Sequence, residues 1–152
     1  MRIFINYNWT GCMINKGLFS SNSNEWYTPK DLFDKLDKEF QFTLDPCCTE
    51  LSALCKKFYT VLDNGLEQDW SGDTVFMNPP YGREIKDWIK KAYTESKRGA
   101  TVVCLIPART DTTYWHDYCF KGEVRFLRGR LSFSNKGTAP FPSAVVIFRG
   151  DK

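Results

Sequence analysis

A four-residue stretch near the middle of the chain, Asn78-Pro79-Pro80-Tyr81, combines residue types that could hold a planar amino group. The amide oxygen of Asn78 can accept one hydrogen bond, and the backbone carbonyl of Pro79 can accept a second. The two prolines restrict the backbone and fix the direction of that carbonyl, while the tyrosine ring offers a flat face. The same residues are typical of a rigid turn that ends a buried strand, so the motif alone leaves both interpretations open.

Alternating strand and helix patterns surround this motif. Apolar runs predict strands at 42–45, 58–62, 74–78, 101–108, 123–127 and 143–148. Helical patterns predict helices at 28–40, 50–58, 83–99 and 112–120. The first helix is predicted to begin with Thr28 as its N-cap and Pro29 in its first turn, and the third to end at Gly99. This alternation favours a single-domain α/β fold around a mostly parallel sheet, with an antiparallel C-terminal hairpin.

Three of the predicted strands end in residues suited to binding, within the segments TLDP, FMNPPY and LIPART. In open parallel sheets, ligands bind beyond the carboxyl ends of the strands. We therefore expect these three strand ends to face one ligand site. The tryptophans Trp26, Trp70 and Trp88 are instead expected to lie in the core.

The bulk composition is that of one globular domain. The chain has 152 residues, of which 42% are hydrophobic and 26% charged. It lacks an apolar run of about 18 residues and the pattern of a signal peptide, so we expect a cytoplasmic protein without a membrane span. A single histidine argues against a zinc site, and six cysteines without CxxC spacing fit reduced, mostly buried thiols better than disulfides. We place a flexible N-terminal arm at 1–24 and the folded domain at 25–150, as a monomer or weak dimer.

Charge is distributed unevenly along the chain. Residues 1–76 carry 7 basic and 11 acidic side chains (net −4), whereas residues 77–152 carry 14 basic and 7 acidic ones (net +7). A basic half suits the backbone of a nucleic acid, although a solvated charged face would look the same. Within the basic segment 121–136, Arg125, Arg128 and Arg130 are candidate phosphate contacts.

The order of seven segments resembles the small phage-type DNA N6-adenine methyltransferases of the Dam-like family. The segments are EWYTPKDLFDKL, FTLDPCCTE, DNGLEQDW, TVFMNPPYG, VVCLIPARTDTTYWHDY, GRLSF and PFPSAVVIF. Together they span roughly residues 25 to 149. The resemblance implies a trimmed Rossmann-like methyltransferase fold that uses S-adenosylmethionine and acts on DNA, with the double-stranded form as the expected substrate. It also implies a phage or prophage gene expressed in a bacterial host.

The resemblance assigns the chemistry to Asn78, Pro79, Pro80 and Tyr81. The exocyclic N6 of adenine is a poor nucleophile, because its lone pair is delocalised into the ring. Two preorganised acceptors beside the amino group would return lone-pair character to the nitrogen. The target adenine has to be flipped out of the duplex to reach them, and Tyr81 is expected to stack on it.

The resemblance also implies a cofactor site without its usual glycine-rich turn. Cys47 and Cys48 are expected to replace the missing glycines as small, packed residues. Asp63 is expected to read the cofactor adenine, although an Asp-Asn-Gly turn would explain it equally well. The candidate cofactor residues are Tyr27, Thr28, Pro29, Asp45, Pro46, Cys47, Asp63 and Asn78.

DNA contacts are expected from five arginines, Arg83, Arg109, Arg125, Arg128 and Arg130. A salt bridge to an acidic residue such as Asp111 is an equally good explanation for Arg109.

Two other functional interpretations stay open at this point. One is a methyltransferase that acts on a planar nitrogen of RNA or of a protein glutamine. The other is a non-catalytic nucleic-acid-binding module derived from the same fold.

Overall fold

The structure of the protein is a computed structural model that describes residues 24–151. The predicted N-terminal arm, residues 1–24, lies outside the described residues except for Asn24. The helices are α1 (Lys30–Phe40), α2 (Ile85–Lys97) and α3 (Thr113–Asp117), with short 3-10 helices at Gly65–Glu67 and Cys119–Lys121. The strands are β1 (Leu44–Asp45), β2 (Lys57–Phe58), β3 (Thr74–Met77), β4 (Thr101–Pro107), β5 (Glu123–Phe126), β6 (Ser132–Phe133), β7 (Gly137–Thr138) and β8 (Ser143–Phe148).

Six strands form one sheet in the order β2-β1-β3-β4-β8-β5. The neighbouring pairs from β2 to β4 are parallel, and β8 runs antiparallel between β4 and β5. Strands β6 and β7 form a separate antiparallel hairpin within the connection from β5 to β8. This arrangement confirms the predicted α/β class, the mostly parallel sheet and the antiparallel pairing near the C-terminus. Because parallel strands share their direction, the ends of β1 and β3 lie at the same edge of the sheet.

The core is centred on β3, β4 and β8, whose residues are almost all buried. Helix α1 packs on the sheet through Phe33, whose ring meets the edge of Phe76 at 5.2 Å. Helix α2 packs against β4 and β8, and Tyr93 meets Phe148 at 5.7 Å. Gly99 follows α2 with φ of +105°, a left-handed conformation that suits glycine, so the predicted helix end is confirmed.

The predicted helix at 50–58 is wrong, because side chains capture its backbone. Thr49 and Ser52 hydrogen-bond to each other's backbone N–H groups, and the carboxylate of Asp45 accepts from the N–H of Leu54. Side chains that satisfy the backbone locally offer it an alternative to the helix. The segment therefore forms turns until β2 begins at Lys57.

Two predicted boundaries also shift. The strand expected at 58–62 is only Lys57–Phe58, because the chain turns at Thr60. Helix α1 has Pro29 at its N-cap position with no side-chain cap, so the prediction of Thr28 as N-cap is wrong. The hydroxyl of Thr28 has a different partner, the side chain of Asn78. No helix within residues 24–151 has the length and apolar character needed to cross a membrane.

Candidate active site

A cavity of about 710 Å³ lies at the carboxyl ends of β1 and β3, beside the first turn of α2. Its volume is within the range of roughly 300–1,000 Å³ that is typical of small-molecule sites. The structure brings eight of the predicted site residues to its wall: Tyr27, Thr28, Asp45, Pro46, Cys47, Asn78, Pro79 and Pro80. Strand ends separated by more than thirty residues in the chain therefore meet at one site.

The side-chain amide of Asn78 is held in one orientation at the end of β3. Its nitrogen donates to the backbone carbonyl of Trp26 and, at 2.9 Å, to the hydroxyl of Thr28. A carbonyl can only accept a hydrogen bond, so the atom that faces Trp26 has to be the nitrogen. The amide oxygen of Asn78 therefore points away from both partners.

That oxygen, Oδ1 of Asn78, is buried and has no hydrogen-bond partner among the described residues. Leaving a buried acceptor unsatisfied costs about 1–3 kcal/mol, and such a group in a folded protein calls for an explanation. A substrate donor that completes the hydrogen bond is one such explanation. Asn78 is a lining residue of the cavity, and its buried oxygen is a fixed acceptor without a partner among the described residues.

Tyr81 lies behind the cavity rather than on its wall. Its side chain is 5% exposed, and its hydroxyl donates to the carbonyl of Leu105 at 3.0 Å. The ring of Trp26 covers it in a stacked arrangement, with the centroids 6.3 Å apart. Trp26 lines the cavity and is only partly buried, so the expectation that it lies in the core is wrong. Trp70 is fully buried in the core, as expected.

Asp45 ends β1 with an almost buried carboxyl group, 4% exposed. Desolvation by burial raises its pKa from 3.8 to about 6, and the hydrogen bond from the N–H of Leu54 at 3.2 Å opposes this shift. Among residues 24–151, no cluster of three or more His, Cys, Asp or Glu side chains is arranged to hold a metal ion. Asp45 is a titratable group at the cavity wall, and its carboxylate accepts a hydrogen bond from the backbone of Leu54.

The backbone at Gly65 lies in close contact with the loop after β1, which itself contains no glycine. A Cβ atom at this position would lie 2.0 Å from the carbonyl oxygen of Pro46 and 3.2 Å from the ring of Trp88. Only glycine therefore lets the 3-10 turn at Gly65–Glu67 pack on the loop after β1. Sequence reasoning missed this residue, although the Asn-Gly pair at 64–65 was a usable signal for an unusual backbone.

Cys47 was expected to substitute for a glycine of the missing turn. The structure places it on the cavity wall beside Asp45, where burial raises the pKa of its thiol well above the usual value. A thiol of this kind stays protonated and behaves as a small packed group. Cys48 lies on the same wall, and burial raises the pKa of its thiol as well.

Asp63 does not point into the cavity. One of its carboxylate oxygens accepts from the backbone N–H of Thr60 at 2.8 Å and from the hydroxyl of Thr60 at 2.9 Å. These hydrogen bonds lower the pKa of Asp63. The structure therefore shows the turn that was the alternative explanation for this residue. Thr60 and Asn64 are the residues of this turn that line the cavity.

The charged side chains on the cavity wall all have the same sign. They are Glu25, Asp45, Glu84 and Asp87, and none of the described lining residues is a lysine, arginine or histidine. A site with this lining favours a ligand that carries positive charge and disfavours a polyanion.

The five candidate DNA-contacting arginines divide into two groups. Arg125 binds both carboxylate oxygens of Glu39 at 2.7 and 2.8 Å and Glu123 at 2.7 Å. These acids compensate its charge, which argues against a phosphate contact at Arg125. The side chains of the other four arginines are exposed: Arg83, Arg109, Arg128 and Arg130. The guanidinium of Arg109 lies over the ring of Phe141 at 5.5 Å.

The chain is similar in sequence to known proteins. Residues 17–145 match the family model described as DNA N-6-adenine-methyltransferase (Dam). The chain is 30% identical over 139 residues to the DNA N-6-adenine-methyltransferase of Haemophilus phage HP1 (strain HP1c1), with 84% of this chain and 80% of that relative covered. It is 35% identical over 65 residues to the putative methyltransferase YfdM of Escherichia coli (strain K12), with 38% of this chain and 71% of that relative covered.

The family model covers most of the chain, and the phage relative aligns over most of both proteins. The sheet has the predicted α/β arrangement, and the Asn78 motif lies at the cavity. The chain belongs to the Dam family of DNA N-6-adenine-methyltransferases, which confirms the resemblance and the prediction of an adenine-specific DNA methyltransferase.

Proposed function

We propose that this protein transfers a methyl group from S-adenosylmethionine to the N6 amino group of an adenine that has been flipped out of double-stranded DNA. The observation that carries the proposal is the Asn78 amide. Its nitrogen is fixed by Trp26 and Thr28, and its buried oxygen lacks a partner within the described residues.

The two N–H bonds of an adenine amino group match two acceptors at the end of β3. Asn78 Oδ1 accepts one, and the backbone carbonyl of Pro79 accepts the other. Because Pro79 and Pro80 restrict the backbone, these acceptors need little reorganisation when the base arrives. Drawing both protons toward acceptors localises the lone pair on the nitrogen and prepares it for methyl transfer.

The cavity suits the cofactor in size and charge. S-adenosylmethionine, when bound, supplies a methyl group activated by a positively charged sulfur. Four carboxylates and no basic side chain among the described lining residues support binding of such a cation. The residues proposed to hold it are Tyr27, Thr28, Asp45, Pro46 and Cys47. Pro29 is not among the lining residues, and we assign it to the start of α1.

Flipping the base out of the duplex costs about a few kcal/mol of lost stacking, so the flipped base needs another surface on which to stack. Tyr81 is covered by Trp26 in the structure. We propose that the stacked rings of Trp26 and Tyr81 provide this surface. If the base stacks directly on Tyr81, the ring of Trp26 has to move aside. Arg83, Arg109, Arg128 and Arg130 are the proposed phosphate contacts. This activity belongs in the cytoplasm of a bacterial host that carries the phage or prophage gene.

The experiment is transfer of labelled methyl from S-adenosylmethionine to unmodified double-stranded DNA, with the digested nucleosides resolved by mass. Label in N6-methyladenine is expected. Equal assays with single-stranded DNA, RNA and protein test the other planar nitrogens. Label only in RNA or glutamine would overturn the proposed substrate. Absence of label from every substrate, together with absence of cofactor binding, would favour the non-catalytic module.

A further inference from the structure

The extended segment 24–28 contacts a different part of the molecule on each of its two sides. On one edge, the carbonyl of Asn24 accepts from the N–H of Tyr81 at 2.8 Å, and the carbonyl of Trp26 accepts from the Asn78 amide. In an extended chain, successive residues direct their backbone polar groups to opposite sides. The odd-numbered residues Glu25 and Tyr27 therefore face the other way.

Their partner is the turn between β6 and β7, residues 134–136. Asn135 accepts from the N–H of Tyr27 at 2.9 Å and donates to the carbonyl of Glu25 at 3.2 Å. The backbone N–H of Ser134 donates to the carbonyl of Tyr27 at 3.1 Å. One asparagine side chain thus holds the residues on both sides of Trp26.

The turn that carries Asn135 is itself well anchored. Gly137 closes the three-residue connection with φ of +74°, as is common in hairpins of this length. Phe133 before it is 2% exposed, and its ring meets the edge of Trp26 at 5.2 Å. The hairpin can therefore act as a fixed support for the segment.

We infer that Asn135 is a positioning residue for methyl transfer, acting on Asn78 through the backbone of residues 25–27. This inference rests on the proposed role of Asn78 as an acceptor for the substrate amino group. The carbonyl of Trp26 is the group that requires the Asn78 nitrogen to face it. If that carbonyl rotates, the amide can flip and present an N–H group to the substrate, which also offers N–H groups. Asn135 prevents this exchange of acceptor for donor.

The first test is the kinetics of Asn135→Ala, which removes both side-chain hydrogen bonds. We expect kcat to fall roughly 10- to 100-fold, as misplacement of a reacting group does, while KM for DNA changes less than about twofold. Thr138→Ala is the matched control, since it alters an exposed residue of the same hairpin, and its kcat should equal that of the wild type. Asn135→Asp, which keeps the bond to Tyr27, should fall between the two and replaces Asn135→Ala if the latter does not fold.

The second test observes the Asn78 amide without turnover. The side-chain NH₂ signals of Asn78 in a ¹⁵N-correlated NMR spectrum are those lost in Asn78→Ala. In Asn135→Ala these signals should shift and exchange faster with water, and in Thr138→Ala they should not. Wild-type kcat in Asn135→Ala, or unchanged Asn78 signals, would overturn the inference. Full turnover in Asn78→Ala would instead overturn the proposed function, so the two failures are distinguishable.

Discussion

The two strand ends that flank the cavity, Asp45 as the last residue of β1 and Asn78 directly after β3, are built in opposite ways. The carboxylate of Asp45 receives a hydrogen bond from Leu54, and burial raises its pKa to about 6. The amide nitrogen of Asn78 donates hydrogen bonds to Trp26 and Thr28, and its amide oxygen has no partner among the described residues. One end is a supported, titratable acid, and the other is a neutral acceptor without a partner.

This difference divides the labour of the proposed reaction. A carboxyl group that ionises near neutral pH suits the binding of a cation, and a fixed neutral acceptor suits the orientation of an amino group. Changes at Asp45 should therefore alter cofactor affinity, and changes at Asn78 should alter the rate of transfer.

The largest effect is expected for Asn78→Ala. Removing one preorganised hydrogen-bonding group from a reaction centre costs about 10²–10³ in kcat. We expect that loss in methyl transfer at saturating DNA, because the substrate amino group loses one of its two acceptors. Calorimetric affinity for S-adenosylmethionine should stay within about twofold of the wild type. An Asn78→Ala variant with the wild-type kcat at saturating cofactor and a weaker affinity for S-adenosylmethionine would reverse the assignment.

Gly65→Ala tests the base of the Asp45 end. The added Cβ would lie 2.0 Å from the carbonyl oxygen of Pro46, so the loop after β1 has to move. Overpacking of this kind costs about 1–3 kcal/mol, and thermal denaturation should show a lower Tm together with weaker cofactor binding. Gly72→Ala is the control, since its Cβ meets no atom within 4 Å and only its φ of +80° is strained. It should lower Tm without changing cofactor affinity.

Asp45→Asn tests the titration of this end. The folded-state pKa of Asp45 is raised from 3.8 to about 6, so the folded state binds the proton more tightly than the unfolded state. Stability should therefore decrease as pH rises from about 4 to 6 and then level off. Asp45→Asn should remove that decrease in a urea titration across this pH range.

Cofactor affinity should show the opposite trend in the wild type. A cation binds best to ionised Asp45, so calorimetric affinity for S-adenosylmethionine should increase as pH rises through about 6. In Asp45→Asn the affinity should be lower at pH 8, by about tenfold, and the increase should be absent. An unchanged pH profile would show that Asp45 does not face the cofactor.

The smallest effects are expected at the arginines. Arg128→Ala and Arg130→Ala should each reduce the slope of log affinity for DNA against log salt by about 1. Arg125→Ala should leave the slope unchanged and lower Tm, because Arg125 pairs with Glu39 and Glu123. An equal salt effect in Arg125→Ala would restore it as a phosphate contact.

The sequence was informative where the signals are local. The apolar run before Asn78, the prolines after it and the periodic face of α2 predict elements that the structure contains. These signals depend on neighbours in the chain, so a reader of the sequence can see them. The edge of the sheet at which the strand ends meet follows from their parallel order.

Much of what the sequence did not predict involves partners far apart in the chain. Arg125 meets Glu39 across 86 residues, and Asn78 meets Thr28 across 50. Gly65 acquires its role only because the carbonyl of Pro46 packs against it. No periodicity encodes such contacts, because tertiary packing decides which of several local preferences prevails.

The most direct test of the division of labour is a single-turnover measurement of N6-methyladenine formation with Asn78→Ala and Asp45→Asn, each titrated with S-adenosylmethionine. We predict that saturating cofactor restores Asp45→Asn to nearly the wild-type rate and leaves Asn78→Ala slow. Rescue of Asn78→Ala by excess cofactor, or a slow Asp45→Asn that saturation does not rescue, would contradict the account.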